Sequence, residues 1–148
     1  MSQRRSQCPV AYALDVVGDR WSLLVLRDAL VFRKRTFREF LDSPEGIATN
    51  ILTARLEQLC AQRFLKARDD EADARRVVYF PTEKALSTLP VLAAMARWSV
   101  RLAPTLSRGK PAEWLAAYEE DPNAVTEKIR AHLGDGPRAD RPVRHRRP

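Results

Sequence analysis

The stretch GIATNILTARLEQL, residues 46–59, has the apolar spacing of one amphipathic helix. Its larger apolar side chains recur at helical intervals and predict one buried side: Ile51, Leu52, Leu56 and Leu59. The outward side near its start carries small, polar or basic residues and almost no acidic charge: Thr49, Asn50, Thr53, Ala54 and Arg55. Such a helix is either an ordinary solvated surface helix or a helix that binds a partner with its outward side.

A second, shorter helix is predicted immediately before this one. Thr36 and Glu39 have the Thr-x-x-Glu spacing of a capping box, which starts a helix over the apolar residues Phe37, Phe40 and Leu41. The sequence DSPEG, residues 42–46, is rich in turn-forming residues and separates the two helices. Two helices joined by a short turn predict a helix-turn-helix.

The segments after residue 62 predict a β-hairpin. FLKARDD, residues 64–70, and RRVVYFP, residues 75–81, carry β-branched or aromatic residues on both sides of the polar sequence EADA. A hairpin directly after a helix-turn-helix makes the motif winged. The predicted fold class is therefore mainly α with a small β-hairpin: a winged helix-turn-helix.

Further helices are predicted on either side of the winged motif. Before it, one helix runs from Pro9 to a stop at Gly18, and Asp19 caps another from Arg20 to about Leu30, with Trp21, Leu24, Val25 and Ala29 in the core. After it, a long helix starts at Thr82 and ends before Pro104, and Pro90 is the position where it can kink. The sequence therefore predicts that the chain divides into three parts. These are a winged domain over 8–103, a helical extension over 104–133, and a basic tail over 134–148 that is predicted to be disordered.

The charge of the chain favours a polyanionic partner. The sequence has 148 residues with 26 Lys and Arg against 19 Asp and Glu, a formal net charge of +7. A solvated basic surface without a partner would give the same balance. No secretory signal or uninterrupted apolar span is present, and the two cysteines lack the spacing of a disulfide framework or a metal site. We therefore expect a cytoplasmic protein with no membrane contact, cofactor or metal.

The chemistry of the outward face suits double-stranded DNA. The major groove admits one α-helix, whose N-terminal half reaches the base edges. Asn50 can bond adenine bidentately, and threonines can bond bases or phosphates and offer methyl groups to thymine. The predicted DNA-binding residues are Arg35, Thr36 and Arg38 before or on the short helix, Thr49, Asn50, Thr53, Ala54 and Arg55 on the long one, and Arg75 and Arg76 on the hairpin.

Other interpretations of these arginines remain open. Arg55 can instead pair with Glu45 or Glu39 inside the domain. Arg75 and Arg76 can simply keep the hairpin edge soluble.

Two other functions are also open. A basic winged domain can serve as a protein-interaction or RNA-binding module without sequence-specific DNA recognition. A thiol-dependent enzyme using Cys8 would need a general base, and the only histidines, His132 and His145, lie in the extension and the tail.

Several motifs together resemble one family. The chain resembles the HxlR family of bacterial transcriptional regulators over about residues 8–102. Five features carry the resemblance: CPVAYALDVVGDRWSLLVLRDAL (8–30), FREF (37–40), GIATNILTARLEQL (46–59), VVYFPTEK (77–84) and Trp98. The resemblance implies a homodimer that binds a pseudo-palindromic operator. It also implies that the dimer interface is built from the helix after Cys8 and the helix from Thr82 to Leu102.

The resemblance also raises the question of an oxidant or electrophile as effector. Some members of the family sense such compounds through a cysteine at the position of Cys8. A helix N-terminus with Arg4 and Arg5 upstream favours the reactive thiolate there, whereas the alternative is a cysteine that only caps or packs the first helix. Cys60, beside an apolar stripe, is expected to be a buried structural thiol.

The sequence departs from the family pattern at two positions near the predicted DNA-binding residues. Thr36 replaces a basic residue, which passes that phosphate contact to Arg35 or Arg38. Ala48 replaces a small hydroxyl residue, which weakens the expected cap of the long helix.

Overall fold

A computed structural model describes residues 7–133 and shows eight α-helices, one short 3-10 helix (Pro104–Leu106) and one hairpin within that range. In chain order the elements are α1 (Pro9–Val17), α2 (Ser22–Leu30), α3 (Phe37–Leu41), α4 (Thr49–Ala61), β1 (Leu65–Asp69), β2 (Val77–Pro81), α5 (Glu83–Leu86), α6 (Leu89–Leu102), α7 (Gly109–Glu120) and α8 (Pro122–Arg130). The predicted tail, 134–148, lies outside the described residues.

The core lies between α2, α4, the hairpin and the start of α6. Its most completely buried large side chains come from every one of these elements and from α3: Leu26, Leu30, Phe40, Leu52, Leu56, Leu59, Leu65 and Leu89. Burial of one apolar side chain of this size contributes about 1.5–3 kcal/mol before conformational entropy is subtracted. The predicted helix-turn-helix is therefore held to the rest of the chain by the buried side of α4.

The hairpin packs directly against the helix-turn-helix. β1 and β2 are antiparallel, with Leu65 opposite Pro81 and Asp69 opposite Val77. An isolated bridge joins Thr36 to Val78, which attaches the start of α3 to the sheet. The prediction of a winged helix-turn-helix is confirmed.

The helix predicted from Thr82 is two helices. Thr82 does cap a helix, since its hydroxyl accepts the Ala85 N–H at 3.3 Å, but that helix, α5, ends at Leu86. α6 starts at Leu89 with Pro90 in its first turn, where the missing N–H costs nothing. The proline therefore starts a new helix rather than kinking one.

Two further predictions near the N-terminus are wrong in detail. Asp19 caps this helix as predicted, since its carboxylate accepts the N–H groups of Trp21 and Ser22, both at 2.9 Å, but the regular helix α2 begins at Ser22 rather than Arg20. Trp21 and Leu24 are half-buried rather than fully in the core. α1 forms as expected and ends at Gly18, but none of its residues is buried.

The helical extension packs onto the winged domain. α7 and α8 contact each other, and Leu115 and Tyr118 of α7 join the same buried cluster as the core residues. At the end of the extension the His132 carbonyl accepts a hydrogen bond from the Arg35 guanidinium at 3.3 Å. α7 and α8 thus form one packed body with the helices and hairpin before them.

Candidate nucleic-acid interface

The first turn of α4 presents an uncapped, exposed end. Ala48 occupies the cap position and provides no side-chain hydrogen bond, as its lack of a hydroxyl predicted. Thr49, Asn50, Thr53 and Ala54 are all exposed, and the Thr53 hydroxyl donates to the Thr49 carbonyl at 2.9 Å. These four side chains share one outward face, while the amides of the first turn have no side-chain acceptor in the cap residue.

Ile51 is exposed rather than buried, which corrects the sequence-based prediction. At 36% exposure its side chain lies at the edge of the outward face. The helical pitch places Ile51 about 100° from both Asn50 and Leu52, so spacing alone did not decide its side. Glu57, also exposed, lies one turn beyond Thr53 and adds an acid to the far end of the face.

The start of α3 has the predicted capping box. The Thr36 hydroxyl accepts the Glu39 N–H at 3.3 Å, and the Glu39 carboxylate accepts the Thr36 N–H at 2.9 Å. Hydrogen bonds from the backbone of Arg35 and Thr36 hold the pKa of Glu39 below its ordinary value despite partial burial. Arg38 is exposed, and within residues 7–133 it forms an ion pair with Asp42, one turn away at 3.1 Å. Arg38 therefore projects to solvent beside the helix start.

Arg35 is held by the protein itself. Its guanidinium donates to the carbonyls of Ala29 at 2.8 Å and Lys34 at 2.9 Å, and lies 5.6 Å from the centroid of the Phe80 ring. Burial lowers the pKa of Arg35 from its ordinary value. This arginine ties the end of α2 to the hairpin, and of the two arginines expected to replace the missing basic residue only Arg38 is exposed.

Arg55 has an ion-pair partner that the sequence did not indicate. Its Nη1 lies 3.4 Å from Oδ2 of Asp19, whereas Glu45 and Glu39, the two expected partners, are bonded elsewhere. Burial opposes the negative charge of Asp19, but hydrogen bonds from Ser22 and Trp21 and the Arg55 cation lower the pKa of its carboxyl. The pair connects the middle of α4 to the junction of α1 and α2.

A buried ionic network holds the turn between α3 and α4. The Asp28 carboxylate, whose side chain is 4% exposed, accepts hydrogen bonds from Arg27 at 2.7 Å, from Lys34 at 3.0 Å and from the Ser43 hydroxyl. Arg27 also binds both oxygens of Glu45, at 2.7 and 3.1 Å. This Arg27 contact lowers the pKa of Glu45, although burial opposes it. The turn that starts α4 is thereby fixed to α2.

The two hairpin arginines each lie beside an acid of the hairpin tip. Arg75 Nε is 3.1 Å from Asp73, and Arg76 Nε is 2.6 Å from Asp70. The pKa of Asp73 is lowered mainly by its hydrogen bond with the Arg75 side chain. The pKa of Asp70 is lowered mainly by a hydrogen bond from the backbone N–H of Ala72. The Arg75 side chain is nevertheless 92% exposed, so its guanidinium can exchange a carboxylate for another anion at little cost.

A comparison with family models identifies this architecture. Residues 16–106 match the HxlR-like helix-turn-helix family. The chain belongs to that family. Members of the HxlR-like family are transcriptional regulators and not enzymes, which removes the thiol-dependent enzyme from consideration.

Individual relatives agree with this assignment. An uncharacterized HTH-type transcriptional regulator of Synechocystis sp. is 34% identical over 88 residues, which are 60% of this chain and 64% of the relative. Among solved structures, PA1607, a candidate transcription factor, is 39% identical with a TM-score of 0.57 over 66% of this chain and 67% of that one. The reduced form of the regulator YodB from B. subtilis shares the fold at 22% identity, with a TM-score of 0.53 over 66% of this chain and 96% of YodB.

The two cysteines of this HxlR-like protein lie in different environments. Cys8 is exposed at the cap position of α1 and gives the helix no side-chain cap. Cys60 is half-buried near the end of α4, and burial raises the pKa of its thiol to about 11. Cys60 is thus less buried than predicted, and its thiol carries almost no thiolate at neutral pH.

Neither a metal site nor a membrane span is found in the described part of the chain. Residues 7–133 contain no group of three His, Cys, Asp or Glu side chains that could hold an ion. Over the same residues, no helix is both long and apolar enough to cross a bilayer.

Proposed function

We propose that this chain is a sequence-specific DNA-binding transcriptional regulator. The observation that carries the proposal is the outward face of α4, where Thr49, Asn50, Thr53 and Ala54 are exposed on a helix fixed to the core by its other side. An α-helix presented in this way fits the major groove, and Asn50 can bind adenine through two hydrogen bonds. The exposed methyl groups of Ile51 add a surface that fits the thymine methyl group.

Phosphate contacts are proposed on both sides of this helix. Thr36 and Arg38 lie at the start of α3, and Arg75 and Arg76 lie at the hairpin. Within residues 7–133, each of the three arginines forms its ion pair with an exposed or partly exposed carboxylate, which a phosphate can replace. Arg35 is left out of this set because carbonyl oxygens hold its guanidinium.

A homodimer is proposed from the exposed apolar side chains of α1 and α6. Val91, Met95, Trp98 and Leu102 follow one another at spacings of three or four along α6, and Trp98 is 64% exposed. Val10 and Leu14 add a second exposed stripe on α1. Such stripes mark association surfaces, and a two-fold dimer would present two copies of α4 to a pseudo-palindromic operator. Sedimentation of the wild type and a Trp98→Glu variant tests this: the variant should be a folded monomer.

The DNA-binding proposal is tested by selecting duplexes from a random pool and measuring affinity for the selected and a scrambled sequence at several salt concentrations. We expect the selected duplex to bind at least 10³-fold more tightly at physiological salt. Asn50→Ala should lose discrimination at one base position by about 1–3 kcal/mol. Arg38→Gln should weaken binding to both duplexes and flatten the salt dependence by about 0.9 for each phosphate that the variant no longer neutralises. Tight binding without sequence preference would favour the general interaction or RNA-binding module instead.

We further propose that the protein acts in the cytoplasm. We also propose that Cys8 senses an oxidant or electrophile, which would be the effector of the regulator. The exposed thiol lies at the start of α1, two residues before the apolar side chain of Val10, so its oxidation or alkylation would alter the proposed dimer surface. DNA binding by the wild type should change after treatment with diamide or a quinone, and Cys8→Ser should bind DNA normally and not respond. A wild type that ignores both reagents would exclude sensing through this residue.

A further inference from the structure

The ion pair between Arg55 and Asp19 joins the helix proposed to bind DNA to the end of the helix proposed to form the dimer. Arg55 lies on α4, the helix proposed to enter the major groove, and Asp19 lies at the junction of α1 and α2. Their nearest side-chain atoms are 3.4 Å apart, and the Arg55 side chain is only 27% exposed. The pair is therefore a contact between the DNA-facing helix and the end of the proposed dimer helix.

The direction of Arg55 separates it from the outward face of α4. At 3.6 residues per turn, Arg55 lies about 140° around the helix from Asn50, and about 40° from the buried Leu59. Ala54, by the same measure, lies about 40° from Asn50. The sequence predicted Arg55 on the outward face, but the helix turns its side chain towards the α1–α2 junction, where Asp19 lies.

Asp19 is rigidly held before it meets Arg55. Oδ1 accepts the backbone N–H groups of Trp21 and Ser22, each at 2.9 Å, and Oδ2 accepts the Ser22 hydroxyl. Ser22 itself is fully buried. Because these hydrogen bonds fix the Asp19 carboxylate to the start of α2, its Oδ2 is held in place for the ion pair with Arg55.

We propose that Arg55 is a positioning residue, which sets the orientation of α4 through Asp19 and does not contact DNA. The proposal rests on the proposed function, because it assigns a role within sequence-specific DNA recognition. A change at the α1–α2 junction would reach α4 through this pair, and a small rotation of α4 would misplace Asn50 relative to the bases.

Three variants of the full-length chain test this assignment. Arg55→Gln removes the cation, and Asp19→Asn removes the anion while it keeps an oxygen that accepts the two N–H groups. Arg38→Gln is the matched control, since it removes an exposed arginine that is proposed to contact phosphate. Each is measured on the selected and scrambled duplexes over a range of salt, well below its unfolding temperature.

A positioning residue and a residue that binds phosphate give different results. We expect Arg55→Gln and Asp19→Asn each to lower the ratio of specific to nonspecific affinity, by about two- to five-fold, without changing the salt slope. The double variant should lose no more than either single one, because the two residues act as a pair. Arg38→Gln should flatten the slope by about 0.9 for each phosphate left without its cation, and it should leave the affinity ratio unchanged.

The opposite pattern would overturn the assignment. If Arg55→Gln flattens the salt slope as Arg38→Gln does, Arg55 contacts phosphate directly. If Asp19→Asn leaves the ratio intact, the ion pair does not position α4. A loss of folded protein alone would lower both affinities together and leave the ratio unchanged, which also contradicts positioning. If the wild type itself shows no preference for the selected duplex, the proposed function fails and this inference fails with it.

Discussion

Replacing Asp28 by asparagine should destabilise the fold far more than replacing any exposed acid. The Asp28 carboxylate is buried and receives hydrogen bonds from Arg27, Lys34 and Ser43. Arg27 and Lys34 are themselves 20% exposed, so an asparagine would take the carboxylate away from a largely buried Lys34 and would leave Arg27 with Glu45 alone. Breaking a buried ion pair by removing one partner costs about 3–5 kcal/mol. For a chain of this size that loss corresponds to a fall in Tm of roughly 10 °C.

The assay is thermal unfolding followed by circular dichroism, with Asp42→Asn as the control. Asp42 pairs with Arg38 on the surface, where the two side chains are 58% and 80% exposed. An exposed pair of this spacing contributes about 0.3–0.5 kcal/mol, so the control should shift Tm by no more than about 2 °C. Equal shifts in Tm for the two variants would show that the buried Asp28 network stabilises the fold no more than the exposed Asp42–Arg38 pair does. That result would refute this account of the turn.

The remaining predictions concern single positions. Gly18→Ala should lower the free energy of unfolding by about 1–3 kcal/mol in urea titration, because a Cβ there would lie 2.2 Å from the Leu14 carbonyl oxygen. Arg63→Gly should raise it by about 1 kcal/mol, because Arg63 has a φ of 61° in the position after α4 where glycine is favoured. Cys60, with its raised pKa of about 11, should resist iodoacetamide at pH 8 until the protein is unfolded, as peptide mapping would show. Because the folded-state pKa of Glu45 is lowered, its stabilising effect exists above its unfolded pKa and is lost as the pH falls through the folded value. The urea midpoints of the wild type and Glu45→Gln should therefore differ at pH 7 and converge as the pH falls below that folded-state pKa.

Local signals were sufficient for the elements around α4. The capping box at Thr36 and the missing cap at Ala48 both appear in the structure as predicted, because each depends on residues within one helical turn. The hairpin likewise follows from two segments rich in β-branched and aromatic residues. These elements need no information about distant parts of the chain.

The partners of the charged residues could not be predicted in the same way. The pairing of Arg55 with Asp19 joins residues 36 positions apart, and it depends on how α4 packs against the start of α2. The same is true of Arg35, whose guanidinium reaches the carbonyl of His132. A basic residue near a DNA-binding motif is therefore ambiguous in sequence, since packing decides whether it faces solvent or another side chain.

The break between α5 and α6 shows a different kind of limit. The apolar periodicity continues through Thr88, and Leu86, Leu89 and Leu92 are all buried, so the pattern alone described one helix. Two short-range effects divide it: the Thr88 hydroxyl donates to the Ala85 carbonyl at 2.7 Å, and Pro90 has no N–H for the preceding turn. Hydrophobic spacing reports which residues are buried, but not whether the backbone between them is continuous.

The contact between Arg35 and the end of the extension shows that the end of the family match is not the end of the packed domain. The family match ends at residue 106, yet Leu115 and Tyr118 lie in the core and the carbonyl of His132 accepts from Arg35. A protein shortened at residue 106 would expose the apolar surface under α7 and remove one acceptor of a half-buried guanidinium. The segment that matches the family is thus shorter than the packed body, and mutations in the buried face of α7 should destabilise the winged domain although they lie outside that match.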